Sequence, residues 1–365
     1  MTTDYKPLGV GVVGLSADIG WAMRAHVPAL RAADGFELRG LVASSQESAV
    51  RAATAYDVPL AYTTVAELAA HPDIDLVVVS VKVPHHRELV LPALEQGKAV
   101  LCEWPLAASL AEAEQLAAVA AERGVRTAVG LQAVSLPAVR YLRDLIAEGF
   151  IGEVLSTTLV GSAGGWGATL PARSTYLADR ANGATMLTIP FGHTLAALTY
   201  CLGGFTSVSA TTATRRPTVH IAETGEPVRL TAEDQVAVSG VLDGGAVASL
   251  HYRGGSSAGT NLLWEINGTE GDIVVSGDTG HLQFGQFTLR GTSRRDEPLA
   301  PLPVPDRYYT ATRSDEVWAG VAHAYAQLRA DIEENTSTVP DFADALAHHR
   351  LLDRISRAAE TGSRQ

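Results

Sequence analysis

The sequence predicts an α/β protein whose N-terminal part is built on a parallel sheet. Its C-terminal part is predicted to be an α+β domain with a largely antiparallel open sheet. Up to residue 132, short apolar runs alternate with helical patterns, as in a parallel sheet with crossover helices. After Val134, strand-like runs follow one another with Gly, Asp and Asn between them, as in hairpins. We therefore expect two domains, residues 1–132 and 133–365.

The N-terminal part contains a series of short apolar runs that read as buried strands. They are Leu8–Val13, Phe36–Ala43, Leu76–Val81, Ala99–Cys102 and Thr127–Gln132. Two helix starts have the capping-box pattern, in which a Thr or Ser and a Glu three residues later bond free backbone amides. These are Thr64 with Glu67, and Ser109 with Glu112. The helix that begins at Ser109 is expected to end at Gly124, because glycine commonly ends helices.

The C-terminal part begins with a predicted helix near 137–148 that ends at Gly149, and a strand-rich region follows. The strand-like runs are Val154–Val160, Ser207–Thr214, Gln235–Leu242, Ala246–Tyr252, Leu262–Ile266 and Asp272–Ser276. Helices are expected at 184–202, 315–334 and 341–360. Residues 290–310 are rich in Pro, Arg and Thr, which predicts a long surface loop.

Composition excludes several classes of function. Apolar residues make up 46% of the 365-residue chain, so a substantial core is available, and the net charge is −12. Such an acidic chain is not expected to bind nucleic acid, which requires basic patches, and no apolar run is long enough to span a membrane. Cys102 and Cys201 lie in apolar segments and read as reduced core residues, so we expect a cytoplasmic protein. We see no His, Asp and Glu cluster at metal-ligand spacing, so no metal is expected.

The first strand runs into a glycine-containing turn that indicates a bound dinucleotide. A Rossmann fold needs glycine here because the backbone turns sharply and approaches a pyrophosphate at a helix N-terminus. Gly14 suits the turn, Ser16 replaces the usual second glycine and Gly20 comes one residue late. The predicted contacts of this loop with the cofactor are made by Gly14, Leu15, Ser16, Ile19, Gly20 and Trp21. Taken alone, the pattern also fits an ordinary strand–turn–helix connection.

The end of the second strand bears on the choice between NAD and NADP. An acid at this position would bond the ribose hydroxyls, but the residues there are Ser44 and Ser45. Either serine can donate to a hydroxyl or to a 2′-phosphate. Because no arginine adjoins them to pair with a phosphate, we favour NAD and leave NADP open.

Further along the chain, a set of short motifs resembles one enzyme family. The motifs are Glu103-Trp104-Pro105, Val129-Gly-Leu-Gln132, Ile151-Gly-Glu-Val154, Gly192-His193 and Asn267-Gly-Thr-Glu-Gly271. They are similar to motifs of the glucose–fructose oxidoreductase/inositol dehydrogenase/MocA family, in which a Glu-Lys-Pro triplet ends the fifth strand. The resemblance implies a nicotinamide cofactor, a small sugar or glycoside substrate, and a homo-oligomer formed through the C-terminal sheet. It adds Val81, Lys82, His86, Glu103, Trp104 and Gln132 to the expected cofactor contacts.

A closer likeness is to a subgroup of that family. It rests on Gly14–Ala22, Glu103-Trp104, Gly164-Gly-Trp166, Asn182-Gly183 and Phe191-Gly-His193-Thr194. This subgroup includes the yeast galactose-regulon repressor, which binds a nicotinamide dinucleotide but acts as a regulatory protein. The resemblance therefore implies cofactor binding more strongly than catalysis.

The departures from the family pattern concern the proton chemistry. The expected lysine is Trp104, and the family's aspartate positions hold Ile189 and Ala196. His193 alone remains of the implied catalytic set, and as a histidine it can act as general acid and base. It also reads as a core histidine of the apolar helix 184–202. Lys82, which follows the fourth strand, is a candidate to compensate, although it also reads as a solvated loop residue.

The predicted substrate contacts are Trp104, Trp166, Arg173, Tyr176, Arg180 and His193. Trp104 either walls the nicotinamide pocket or stacks on a sugar ring, with Trp166 as a second wall. The arginines suggest an anionic sugar, or they are surface residues. Three functions follow: an NAD(P)-dependent oxidoreductase acting on a secondary hydroxyl, a redox-neutral NAD-dependent glycoside hydrolase, and a non-catalytic cofactor-binding sensor.

Overall fold

The computed structural model of the chain describes residues 6–365, in which seventeen strands and ten α-helices form. The strands are β1 (Leu8–Val13), β2 (Phe36–Val42), β3 (Leu60–Tyr62), β4 (Leu76–Val79), β5 (Ala99–Glu103), β6 (Thr127–Gly130), β7 (Val154–Ala163), β8 (Thr169–Leu170), β9 (Phe205–Ala213), β10 (Thr218–Ile221), β11 (Pro227–Arg229), β12 (Gln235–Leu242), β13 (Val247–Gly254), β14 (Leu262–Gly268), β15 (Asp272–Gly277), β16 (Thr288–Thr292) and β17 (Ala300–Pro301). The α-helices are α1 (Val27–Ala32), α2 (Gln46–Tyr56), α3 (Val65–Ala70), α4 (His86–Glu95), α5 (Leu110–Arg123), α6 (Gln132–Ser135), α7 (Pro137–Ala147), α8 (Pro190–Leu202), α9 (Ala319–Glu334) and α10 (Phe342–Thr361).

The chain divides into two units that alternate along the sequence. Unit 1 contains the described residues up to Ser135 together with Tyr309–Ala347, and unit 2 contains Leu136–Tyr308 together with His348–Gln365. The segment Tyr309–Ala347, which the sequence analysis placed in the second domain, therefore belongs to unit 1. The sequence pattern identifies helices in this segment but carries no sign of the sheet against which they pack.

Unit 1 is the predicted Rossmann domain, with all six strands parallel in the order β3-β2-β1-β4-β5-β6. The predicted strands correspond to β1, β2, β4, β5 and β6, but β3 was missed because three residues are too few for a periodic signal. Half of each predicted capping box forms, since the hydroxyls of Thr64 and Ser109 accept from the amides of Glu67 and Glu112. The Glu112 carboxylate accepts from the amide of Ala108, and that of Glu67 from the hydroxyl of Thr64. Gly124 ends α5 in the left-handed conformation, as predicted.

The core of unit 1 explains why the late helix α9 belongs to it. One side of α9 is apolar and fully buried, and it joins the same hydrophobic cluster as Val10 and Leu41 of the sheet. The residues that α9 contributes to this cluster are Val321, Ala322, Ala324, Tyr325 and Leu328. Helix α9 thus completes the core of the unit through burial of apolar surface.

Unit 2 is built on an eight-stranded mixed sheet in the order β17-β16-β15-β14-β7-β13-β12-β9. Its neighbouring strands are antiparallel, as predicted, except for the parallel pair β7 and β13. Alternate residues of β13 are buried and exposed, which gives the sheet one covered face and one open face. Ser156 of β7 and Val247 of β13 lie at matching positions on the open face.

The helix predicted at 184–202 is shorter than expected. Helix α8 begins at Pro190, and the preceding residues form turns held by bonds between Thr185 and Thr188. Proline is favoured in the first turn because its missing amide has no helical partner there. Almost every residue of α8 is buried, so this helix is part of the core of unit 2.

Residues 290–310 are not the long surface loop that was predicted. They contain the end of β16 and the short strand β17, which pairs with β16, and a 3₁₀ turn at Asp306–Tyr308. A second small sheet of unit 2 has the order β11-β10-β8.

Cys102 and Cys201 are free and buried, as expected. Within residues 6–365, none of the helices combines the length and the apolar character needed to cross a membrane.

Candidate functional site

The loop after β1 has the geometry that a dinucleotide turn requires. Gly14 has φ +89°, and a Cβ at this position would lie 2.5 Å from the carbonyl oxygen of Ser80. Gly20 has φ +113°, and no atom of the described residues lies within 4 Å of the place of its Cβ. Glycine is thus needed at 14 by crowding, while the backbone at 20 is open to the close approach of a ligand.

The side chains of this loop differ in exposure. Leu15 is buried, Ser16 and Trp21 are half-buried, and Ile19 is 46% exposed. An exposed isoleucine at the tip of a glycine loop offers apolar surface to a ligand that binds there. The loop leads into a π-helix at Ala22–His26, an irregular form found often at functional sites.

Helix α2 anchors the loop through residues that the sequence analysis missed. The hydroxyl of Tyr56 donates to the carbonyl oxygens of Ser16 and Ala17, at 3.1 Å each. Arg51 of the same helix donates to the carboxylate of Asp18. Because these partners lie more than thirty positions apart in the chain, no local pattern points to them.

Ser44 and Ser45 lie after β2, as predicted, but they differ in their bonding. Ser44 is exposed. The hydroxyl of Ser45 caps α2 by accepting from the amide of Ser48 at 3.2 Å. Ser45, which is also exposed, therefore positions the helix N-terminus, and its O–H group can still donate to a ligand.

His86, the first residue of α4, bonds the segments that follow β4 and β5, and its contact with the cofactor stays a prediction. Its side chain is 1% exposed, and its ring nitrogens lie 2.8 Å from the carbonyl oxygen of Pro105 and 3.1 Å from that of Val81. Burial lowers the pKa of His86, so the ring is neutral at physiological pH. Lys82 is exposed, and its carbonyl accepts from the amide of His85.

Glu103, at the end of β5, is the centre of a buried hydrogen-bond network. It accepts from Nε2 of Gln132 at 2.7 Å and from Nε2 of His26 at 3.0 Å. Nδ1 of His26 lies 2.8 Å from the hydroxyl of Tyr325. Burial, assisted by the negative field of Glu103, raises the pKa of Tyr325 well above its usual value, so its hydroxyl keeps its proton and donates. Glu103 and Gln132 thus fix the position of the strand end.

Trp104 follows directly and is 4% exposed, with a cis peptide bond to Pro105. Of the two predicted roles, this burial fits a wall residue better than an open stacking platform. A lysine amine at such a buried position would need a partner for its charge, whereas an indole ring can be buried without one.

In unit 2, His193 lies in the first turn of α8 and is 2% exposed. Its backbone amide donates to Ile189, and its Nδ1 has no hydrogen-bond partner among the described residues. Burial, together with the nearby His281 and His348, holds the pKa of His193 well below its usual value. The imidazole is therefore neutral at physiological pH.

Two further histidines of unit 2 surround His193, and the sequence analysis assigned neither of them a role. The ring of His281 lies 5.5 Å from that of His193, and burial lowers the pKa of His281 to about 3. His348 bonds the carbonyl oxygen of Gly192 at 2.8 Å, and burial lowers its pKa to about 4. Single histidines in distant segments carry no spacing signal, which is why they were missed.

The predicted substrate residues of unit 2 separate into two groups. The edge of Trp166 lies 6.3 Å from the ring of His281, so the structure brings Trp166 and His193 to the same histidine. Arg173 is exposed, and Tyr176 is half-buried with a pKa raised by burial. Arg180 is exposed and forms an ion pair with Glu360 of α10 at 2.7 Å, and its contact with the substrate stays a prediction. Within residues 6–365, no group of His, Cys, Asp or Glu is placed to hold a metal ion.

Comparisons with protein families and known proteins agree with both units. Residues 8–131 match the GFO/IDH/MocA oxidoreductase family with the NAD-binding Rossmann fold, and residues 137–277 match the C-terminal domain of Gal80p. The chain is 30% identical to the galactose/lactose metabolism regulatory protein of Saccharomyces cerevisiae over 98% of its own length and 94% of that protein. It is also 30% identical to the dehydrogenase aclE of Aspergillus oryzae, over 98% and 97% of the two chains.

Solved structures show the same architecture. A super-repressor mutant of Gal80p from Saccharomyces cerevisiae has a TM-score of 0.89 at 28% identity and covers 98% of this chain and 97% of its own. A levoglucosan dehydrogenase in complex with NADH and levoglucosan has a TM-score of 0.84 at 22% identity, which is a likeness of fold. It covers 99% of each chain. Regulatory proteins and enzymes thus share the fold of this chain.

Proposed function

Because the chain belongs to the GFO/IDH/MocA oxidoreductase family, we propose that it is an NAD(P)-dependent oxidoreductase acting on a secondary hydroxyl of a sugar, glycoside or polyol. The observation that carries this proposal is the neutral, buried imidazole of His193, whose Nδ1 has no partner among the described residues. A general base must have a nitrogen lone pair that can bond the substrate hydroxyl, and Nδ1 of His193 is the candidate atom.

The cofactor would be held by the loop of Gly14, Ile19 and Gly20, with Ser44 at the adenosine end. This loop fits a dinucleotide because Gly14 makes the crowded turn and Gly20 leaves the backbone open. When bound, the nicotinamide supplies the acceptor for the hydride of the carbinol carbon. His193 takes the hydroxyl proton as the carbonyl forms, and returns it in the reverse direction.

We propose NAD in preference to NADP. Arg51 is committed to Asp18. A 2′-phosphate would have to draw Arg51 away from Asp18 to obtain a positively charged partner, whereas a ribose hydroxyl needs none and can bond the exposed Ser44. Dissociation constants for the two cofactors, measured on the wild type and on Asp18→Ala, test this. Release of Arg51 by that change should strengthen NADP binding alone.

The test of the oxidoreductase proposal is absorbance at 340 nm with NAD and a panel of neutral polyols and sugars. The wild type is expected to reduce NAD with at least one of them. His193→Ala should lower turnover by roughly 10²–10⁴-fold, the usual contribution of a general base. His220→Ala, in an exposed histidine of the same unit, is the matched control and should leave turnover unchanged. Equal rates for the wild type and His193→Ala would refute the assignment of His193.

The second candidate function is a cofactor-binding regulatory protein, and the position of Trp104 favours it. An indole replaces the implied lysine, and Ile189 and Ala196 stand at the implied aspartate positions, so His193 has no carboxylate partner at these positions. A regulator would give no change at 340 nm, yet NAD and a sugar would still raise its melting temperature by mass action. Release of aglycone from aryl glycosides without net NADH would instead support the redox-neutral glycoside hydrolase.

We also propose that the protein is a homo-oligomer that pairs through the open face of the eight-stranded sheet. Val247 of β13 is 58% exposed on this face. Its neighbours along the strand, Ser249 and His251, are also exposed. The exposed face of an eight-stranded sheet offers a surface for self-association around a two-fold axis.

A further inference from the structure

The side chain of His26 is fully buried and is bonded at both of its ring nitrogens. Nδ1 lies 2.8 Å from the hydroxyl of Tyr325, and Nε2 lies 3.0 Å from the carboxylate of Glu103. These residues lie far apart in the chain: His26 in the π-helix before α1, Glu103 at the end of β5 and Tyr325 in α9. One imidazole ring thus joins three elements of unit 1.

The chemistry of the two partners determines which ring nitrogen of His26 carries the hydrogen. A carboxylate can only accept, so Nε2 carries a hydrogen and donates it to Glu103. Burial raises the pKa of Tyr325 well above its usual value, so its hydroxyl keeps the proton and donates to Nδ1. The ring of Tyr325 also packs edge to face against that of His26 at 5.9 Å. Helix α9 therefore supports the tautomer of His26 that donates to Glu103.

The backbone around His26 continues from the loop after β1. His26 is the last residue of the π-helix Ala22–His26, and the amide of Arg24 in this helix donates to the carbonyl oxygen of Gly20 at 3.2 Å. A π-helix is rare in proteins and is found often at functional sites. The element that bonds the end of this loop therefore also carries the ring that bonds Glu103.

Glu103 ends β5 and directly precedes Trp104, which is 4% exposed. Its carboxylate also accepts from Nε2 of Gln132 at 2.7 Å, so donors from two elements hold it in place. Strand β4 lies between β1 and β5 in the sheet, so no backbone bonds of the sheet join β1 directly to β5. The His26 ring is therefore a direct side-chain link between the loop after β1 and the end of β5.

We propose that His26 is a positioning residue for the cofactor, because its ring holds Glu103 and Trp104 at a fixed place relative to the loop after β1. This inference rests on the proposed function, in which that loop binds the dinucleotide, and it extends the function to a residue outside the loop. His26 acts through Glu103, since its own side chain is fully buried.

The two ends of the cofactor are expected to depend on His26 to different degrees. In a Rossmann fold the dinucleotide lies across the carboxyl ends of the strands. With the adenosine end at Ser44 after β2, the nicotinamide end would lie on the other side of β1, toward β4 and β5. ADP, which is the adenosine end alone, would meet the loop after β1, whereas NAD would also meet Trp104. A displaced strand end should therefore weaken NAD more than ADP.

The test compares the dissociation constants of NAD and ADP, measured by calorimetry on folded protein. His26→Leu removes both ring bonds and should weaken NAD by roughly tenfold or more, while ADP changes by less than about twofold. His26→Gln keeps one N–H group for Glu103 and should recover part of the preference for NAD. His220→Leu, at an exposed histidine of unit 2, is the control and should leave both dissociation constants unchanged.

A second variant and a spectrum of the wild type guard against variants that fail to fold. Tyr325→Phe removes only the hydroxyl and keeps the ring, which packs against Phe36 at 5.2 Å, and it too should weaken NAD more than ADP. In the wild type labelled with ¹⁵N-histidine, the ring of His26 should carry its hydrogen on Nε2 and none on Nδ1. Addition of NAD should shift both ring nitrogens of His26, while those of the exposed His220 stay in place.

Two results would overturn the inference. One is an equal change of NAD and ADP affinity, or no change, in folded His26→Leu and Tyr325→Phe, since a purely structural role does not distinguish the two ligands. The other is a hydrogen on Nδ1 of His26 in the wild type. The proposed function fails separately. A wild type that binds NAD without forming NADH with any polyol removes the oxidoreductase alone, whereas one that binds neither NAD nor ADP removes both proposals.

Discussion

Glu103 shows how one residue of unit 1 holds the end of a strand. Its carboxylate accepts from Gln132 at 2.7 Å and from His26 at 3.0 Å, within a buried site. Glu103→Gln would remove the negative charge that these donors face. It would also set an amide N–H against Nε2 of Gln132, which lies 2.9 Å from the second carboxylate oxygen. We expect a loss of roughly 1–3 kcal/mol in the free energy of unfolding. Urea unfolding measures it, with the exposed Glu122→Gln as a control that should change little.

If Glu103→Gln and Glu122→Gln had equal urea midpoints, the network would not contribute to stability. Cofactor affinity, measured on the folded fraction, separates a loss of stability from a direct cofactor contact of Glu103. If Glu103 only positions the strand end, the free energy of cofactor binding should change by less than the free energy of unfolding.

The role of a single residue could be predicted where its neighbours in the sequence determine that role. Gly14 follows from the turn that joins a strand to a helix, and Cys102 and Cys201 follow from their apolar surroundings. His281 could not be predicted, because its importance comes from the ring of His193 in a distant segment. Arg180 reads as a substrate residue in the sequence and is an ion-pair partner in the structure for the same reason.

Among the elements, the loop after β1 gives the sharpest test of cofactor binding. Gly14 and Gly97 both have positive φ, at +89° and +70°, but only Gly14 is crowded, with Ser80 2.5 Å from its Cβ position. Alanine at either site should lower the free energy of unfolding by about 1 kcal/mol, because a residue with a Cβ is strained in the left-handed conformation. The clash with Ser80 should lower the free energy of unfolding of Gly14→Ala by roughly 1–3 kcal/mol more. The same variant should also bind the cofactor more weakly.

Thermal unfolding and NAD titration of Gly14→Ala and Gly97→Ala make this comparison. The expected result is a normal NAD affinity for Gly97→Ala and a strongly reduced one for Gly14→Ala. Similar affinities in the two variants would show that the loop does not hold the cofactor.

Elements with strong periodicity were predicted well, and elements that depend on their partners were not. Strand β1 has the predicted ends, and α5 has the predicted serine cap and glycine stop. The short strands β3 and β17 exist because β2 and β16 offer an edge for pairing, which a run of two or three residues cannot reveal. Helix α8 starts late because Thr185 and Thr188 bond each other and Pro190 starts the helix.

For the whole molecule, the buried histidines of unit 2 predict a loss of stability in mild acid. Burial lowers the pKa of His281 to about 3 and that of His348 to about 4, against an unfolded value near 6.5. Below pH 6.5 the unfolded chain takes up protons that the folded chain refuses, so stability falls as the pH falls from 6.5 toward these values. Above pH 6.5 the two rings have no effect on the pH dependence.

Between pH 7.5 and 5, each of these two rings should lower the free energy of unfolding by on the order of 2 kcal/mol. Urea unfolding at the two pH values measures the total change, to which the buried His193 and His86 also contribute. His281→Phe should lose on the order of 2 kcal/mol less than the wild type over this interval, and the exposed control His220→Phe should lose the same as the wild type. An identical pH dependence in His281→Phe would mean that this ring is protonated in the folded state.

The last prediction concerns assembly through the open face of the eight-stranded sheet. Val247 of β13 is 58% exposed and Val50 of α2 is 51% exposed. Val50 lies on a different surface and therefore serves as the control for Val247. If copies of the chain pair through the open face, Val247→Lys buries a charge in the interface and should dissociate the oligomer, whereas Val50→Lys should not. Light scattering after size exclusion measures the mass at several concentrations. A monomeric wild type, or an oligomer that survives Val247→Lys, would contradict this interface, because a buried lysine without a partner costs more free energy than a small interface supplies.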